Sequence, residues 1–99
     1  MRLVIRPEAE RELLEAQAWY ELQSPGLGFE FARNADAAIA NILRNPYAFQ
    51  QIEGEFRRAM VRRFPYMFIF LASASEILVV SCFHHRREPV AWSEREKSR

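Results

Sequence analysis

Apolar and polar positions divide the chain into six elements joined by short polar breaks. Arg2 to Arg6 alternates weakly and carries β-branched Val4 and Ile5, so the pattern predicts a short first strand. Pro7 suits a first helical turn, where its missing N–H costs nothing, and Glu8, Glu10 and Glu12 complement the helix dipole there. Ala9, Leu13, Ala16 and Tyr20 recur at helical spacing and are expected to face a core, with Leu14 and Trp19 widening the stripe. Ser24-Pro25-Gly26 is turn chemistry, which places this helix at 7–23. In a second helix, 27–44, Phe31, Ala35, Ala38, Ile39 and Ile42 trace one apolar face. Its alanines allow close packing in an antiparallel hairpin, and Asn45-Pro46 ends it. Tyr47 to Gly54 reads as a linker. A meander of three strands is expected at Glu55 to Arg63, Phe64 to Ala72 and Ile77 to Phe83.

Strand, two helices and three strands make a two-layer α+β domain, expected over residues 1–92 with a polar tail at 93–99. The near-continuous apolar runs Met67–Ala72 and Ile77–Phe83 are expected to be central strands, partly buried on both faces.

Composition adds boundaries. The 99 residues suit one domain, and 49% hydrophobic with 27% charged residues argues for an ordered globular chain. No apolar run approaches the ~20 residues of a membrane span, no signal peptide is read at the start, and the single Cys82 has no internal disulfide partner. A cytoplasmic setting is the expectation. Net charge is +1, which conceals a split. Residues 1–55 hold five Lys/Arg against nine Asp/Glu; residues 56–99 hold nine against four. A basic functional face backed by an acidic one follows from that asymmetry.

The candidate chemistry lies at the ends of the last strands. Arg57, Arg58, Arg62 and Arg63 share one predicted strand, and Arg86-Arg87 follow the last one. Guanidiniums suit bidentate contacts to carboxylate or phosphate, and they also protect an exposed strand edge. The short meander connections are expected to bring the two clusters together. His84 and His85 alternate along a strand, so their rings are expected on opposite faces if the strand persists. One ring near neutral pKa has the chemistry for acid/base work; the other reading is a strand-terminal pair bonded locally. Tyr66 and Trp92 offer stacking surfaces or core. Zinc-ligand spacings are absent, and neither a metal nor a cofactor is expected.

Phe64-Pro65-Tyr66, an apolar strand, a short turn, a second apolar strand and His84-His85-Arg86-Arg87-Glu88-Pro89-Val90-Ala91-Trp92 together resemble the RelE/ParE superfamily of bacterial toxins. Val4-Ile5-Arg6-Pro7-Glu8-Ala9-Glu10 is similar to that family's first strand and helix start, so the resemblance runs from about Leu3 to Trp92. These are toxin halves of type II toxin–antitoxin, or plasmid stabilisation, systems. The resemblance implies a helical hairpin packed on a twisted, mainly antiparallel sheet, and a cognate antitoxin as partner. Two functions share the fold. ParE-like members bind DNA gyrase without being enzymes; RelE-like members are ribosome-dependent mRNA endoribonucleases that need no metal. This chain has one lysine, Lys97; Met67 follows Tyr66 where ribonuclease members commonly carry an arginine; no tyrosine comes after Tyr66. These departures favour the ParE-like side. Arg58, Arg62, Arg63, Tyr66, His85, Arg86, Arg87 and Trp92 are the candidate binding residues. On the ribonuclease alternative, His84, His85, Arg58, Arg62 and Arg86 would form the catalytic set.

Overall fold

The computed structural model describes residues 1–86. The chain order is β1 (Arg2–Ile5), α1 (Pro7–Gln23), α2 (Leu27–Arg44), a 3-10 turn at Pro46–Ala48, β2 (Gln51–Glu53), β3 (Phe56–Met60), β4 (Tyr66–Ala72) and β5 (Glu76–His84). The strands form one sheet ordered β1-β5-β4-β3-β2. All its pairings are antiparallel except β1 with β5, which is parallel. The α+β architecture expected of the pattern is therefore present, with β4 and β5 inside the sheet. Both helices occupy the expected 7–23 and 27–44.

The helical hairpin is set by its turn. Gly26 takes φ 90°, a left-handed conformation open to glycine, and precedes α2. The Glu21 carboxylate accepts hydrogen bonds from the Gly26 and Gly28 amides at 3.0 Å, satisfying donors that the start of α2 leaves open. Gly28 lies against α1 so closely that a Cβ there would stand 2.6 Å from the Gln17 carbonyl oxygen.

One face of the sheet packs against both helices. Ala9, Ala16, Phe31, Ala35, Ala38 and Ile42 meet Ala59, Phe68, Phe70, Ile77 and Val79 there. Phe31 has no exposure, and the rings of Tyr20, Phe64 and Tyr66 surround it at 5.2–5.3 Å between centroids. The opposite face holds a second buried cluster, Met67, Ile69, Leu78, Val80 and Phe83. Burial on both faces explains why β4 and β5 read as continuous apolar runs instead of alternating ones.

Four expectations need correction. The stretch 47–54 is no plain linker, because Gln51–Glu53 forms the edge strand β2. The third strand stops at Met60 instead of Arg63: Phe64 N–H bonds back to the Val61 carbonyl, and Arg63 takes φ 73° to make that turn. β4 accordingly begins at Tyr66, not Phe64. Leu14 and Trp19 do not widen the buried stripe of α1; they are 56% and 55% exposed.

Candidate functional site

Arg62, Arg63, His84, His85 and Arg86 all lie at the end of the sheet where β4 begins. The pairings Met60 with Met67 and Tyr66 with His84 place the exit of β3 and the exit of β5 on either side of the β4 entry. The Val61 N–H donates to the Tyr66 carbonyl, and the His85 N–H to the Pro65 carbonyl, both at 2.9 Å. Strand spacing separates the β3 and β5 exits by roughly 10 Å. Arg62, Arg63 and Arg86 share this end, with Arg58 and Arg57 set back along β3 opposite Ile69 and Phe70.

The guanidiniums are engaged to different degrees. Arg57 is half-buried; its Nη1 donates to the Phe49 carbonyl at 2.6 Å, and its Cζ stands 5.2 Å from the Tyr47 ring. Its work is to tie β3 to the stretch before β2. Arg58 is exposed and donates from Nε and Nη2 to Gln50 Oε1 at 3.1 and 2.8 Å. Arg63 bridges to Glu30 at 2.9 Å, linking the turn to α2. Arg62 and Arg86 are exposed, and neither side chain has an ion pair among the described residues. Arg87 and Trp92, also expected here, lie outside the described residues.

The histidines do not point to opposite faces. β5 ends at His84 and a turn follows, so the rings stack with centroids 5.1 Å apart and planes 15° apart. His85 is exposed, with Nδ1 3.1 Å from the Pro65 carbonyl oxygen. His84 Nδ1 accepts the Arg86 N–H at 3.2 Å, so a neutral His84 ring carries its proton on Nε2. Tyr66 is buried on the helix side, edge-on to His84 at 5.4 Å. It forms a wall and presents no open stacking face.

His84 and Tyr66 belong to a groove of about 740 Å³ between α1 and β5, also lined by Glu12, Glu15, Ala16, Trp19, Tyr20, Pro65 and Cys82. The groove exists because β1 is shorter than β5. Arg6 N–H bonds the Val79 carbonyl at 2.9 Å, then Pro7 turns the chain into α1. Among the described residues, no strand lies on that side of β5 beyond Val79. Glu12 reaches across from α1 instead: its Oε1 accepts the Ser81 hydroxyl at 3.0 Å and the Cys82 N–H at 3.1 Å. Burial, and the Glu12 charge second, push the Cys82 thiol up to about 12. Burial, with Tyr66 second, raises Tyr20 above the usual phenol range. Both groups stay protonated at neutral pH.

Glu12, Glu15 and Trp19 were missed as site residues by sequence reasoning. The carboxylates read as ordinary helix-start charges, and only the fold places them across from β5. Among the described residues, no three His, Cys, Asp or Glu side chains gather as a metal site would require, and no helix is long and apolar enough to cross a membrane.

No family model matches the sequence, and no curated protein matches it. Among solved structures, a chain of the chromosomal ParDE TA (toxin–antitoxin) system from P. aeruginosa is similar with a TM-score of 0.75 and 15% sequence identity. The likeness covers 85% of this chain and 95% of that one. At that identity the likeness is one of fold, and the chain has the ParE-like fold: a two-helix hairpin on a mainly antiparallel five-stranded sheet.

Proposed function

We propose that the protein is the toxin of a type II toxin–antitoxin pair, ParE-like in action: it arrests growth by binding DNA gyrase and is neutralised by a cognate antitoxin. The fold likeness to a ParDE system supports the toxin role. The observation that carries the choice against a ribonuclease is the charge of the groove. A ribonuclease needs cations around the scissile phosphate to stabilise charge in the transition state. Here Glu12 and Glu15 line the cavity beside His84, and no described lysine or arginine does. Carboxylates at that position repel a phosphodiester. The exposed Arg62 and Arg86 at the sheet end offer a binding surface to an acidic partner segment instead.

Purified protein assayed for inhibition of gyrase supercoiling, and separately for mRNA cleavage on programmed ribosomes, tests the reading. Inhibition is expected without cleavage. His84→Gln and His85→Gln keep hydrogen-bonding shape while removing a titrating group, so toxicity should change little. Loss of general acid/base catalysis typically costs about 10²–10⁴-fold, so a ribonuclease would collapse. Ribosomal cleavage that disappears in a folded His84→Gln protein refutes the proposal, as does gyrase left unaffected at concentrations that arrest cells.

A further inference from the structure

The groove beside α1 has a chemistry of its own, and it is the reverse of the basic sheet end. Its walls are aromatic: Trp19, Tyr20 and Tyr66. Ala16, Pro65 and the buried Cys82 line its floor beside the Glu12 carboxylate. Two carboxylates of α1 line it. Glu12 is held at the floor by Ser81 and Cys82, while Glu15 is exposed one turn further along. Trp19 follows Glu15 by four residues, so the two side chains neighbour one another on the helix surface. The indole is 55% exposed and is braced edge-on by Tyr20, with centroids 5.1 Å apart.

We propose that this groove receives a cationic side chain, an arginine in particular, presented by a partner protein segment. A guanidinium laid against the Trp19 face gains a cation–π contact, and its N–H fork reaches the Glu15 carboxylate from the same position. Arginine suits the site better than lysine because it is planar, stacks on aromatic rings and is less strongly hydrated. The cavity volume exceeds what one side chain needs, which leaves room for the flanking backbone. A phosphate or an acidic segment is excluded by the same carboxylates. The inference stands apart from the toxin reading, since it concerns which chemistry the groove takes from any partner.

The test is a titration of the full chain with acetyl-Gly-Arg-Gly-amide, followed through the indole N–H resonance of Trp19 and assigned with Trp19→Phe. The control is the same peptide with neutral citrulline in place of arginine. Saturable binding is expected with a dissociation constant on the order of 1–10 mM, as one ion pair and one cation–π contact allow. Citrulline should bind at least about tenfold more weakly, and Glu15→Gln should weaken the arginine peptide by roughly 3–10-fold. Both substituted positions are exposed, so the variants should keep the wild-type spectrum elsewhere. Equal shifts from the two peptides overturn the proposal, as does saturable binding that ignores Glu15→Gln. Binding that appears only in an Arg87→Ala variant overturns it as well, because the occupant would then be this chain's own arginine. A negative gyrase assay has no bearing on these outcomes.

Discussion

Removing Glu12 should destabilise the protein more than removing the exposed Glu15 one turn further along α1. Among the described residues, no strand lies on the β1 side of β5 beyond Val79, and Glu12 Oε1 supplies an acceptor to the Cys82 N–H there. Cys82 has no solvent exposure and Ser81 only 2%, so water cannot readily take over. In Glu12→Ala the Cys82 N–H loses a charged acceptor, which costs about 1.5–3 kcal/mol, and the Ser81 hydroxyl loses a second bond worth about 1 kcal/mol. Ser81 can rotate towards another acceptor, so the expected total is about 2–4 kcal/mol. Glu12→Gln keeps an oxygen in place and forfeits the charge, for about 1 kcal/mol. Glu15→Ala, one turn away and exposed, should stay within about 0.5 kcal/mol. Urea unfolding gives the energies, and amide exchange at Cys82 gives the location: protection there should fall in Glu12→Ala while Ile69 keeps its own. The double variant Glu12→Ala/Ser81→Ala should be less destabilised than the sum of the singles, by about 0.5–1 kcal/mol. A Glu12→Ala protein within 0.5 kcal/mol of wild type by this rough scale, or with unchanged exchange at Cys82, would show that the carboxylate does not hold the open side of β5.

Three further outcomes are expected. Gly28→Ala places a Cβ 2.6 Å from the Gln17 carbonyl and 2.9 Å from Glu21 Cβ, so the helices must part. Overpacking of about 1–3 kcal/mol should outweigh the ~1 kcal/mol gained in helix propensity, and a Tm at or above wild type would refute the close approach. Cys82 gives an alkaline limb: the folded thiol ionises near 12 against an ordinary 9.0, so the folded state holds its proton longer. That contribution is fully present below pH 9.0 and is lost as pH rises towards 12, at up to about 1.4 kcal/mol per pH unit. Tyr20, also raised, acts in the same direction. Cys82→Ala should therefore show a shallower fall in urea-derived stability above pH 9.0 than wild type, and identical slopes would remove the thiol from the account. On the toxin reading proposed above, Arg62→Glu with Arg86→Glu should weaken binding of the proposed antitoxin partner and flatten its salt dependence, because charge attraction is removed from two exposed cations. Unchanged affinity and salt response in titrations would mean that the contact is mainly apolar.

The sequence by itself determined the elements whose signals are local. Pro7, Ser24-Pro25-Gly26 and Asn45-Pro46 restrict the backbone where they stand, and both helices begin and end at them. β4 and β5 were legible because burial on both faces writes an unbroken apolar run. β2 was not, since three residues at a sheet edge carry no period to detect. The exposure of Leu14 and Trp19 was equally hidden, because α1 carries apolar residues on several sides and only the sheet decides which side is covered. The end of β3 at Met60 depended on a left-handed turn at Arg63, a residue with no intrinsic liking for it, held by the Glu30 bridge from another element. Tertiary structure alone made the groove. Among the described residues, it lies where the short parallel β1 ends alongside β5, and Glu12 hydrogen bonds spanning 69 and 70 residues of chain cross it. A carboxylate early in a helix looks the same in sequence whether it faces water or a strand of the sheet. What separates the two is the packing of α1 across β5, a contact that no window of neighbouring residues encodes.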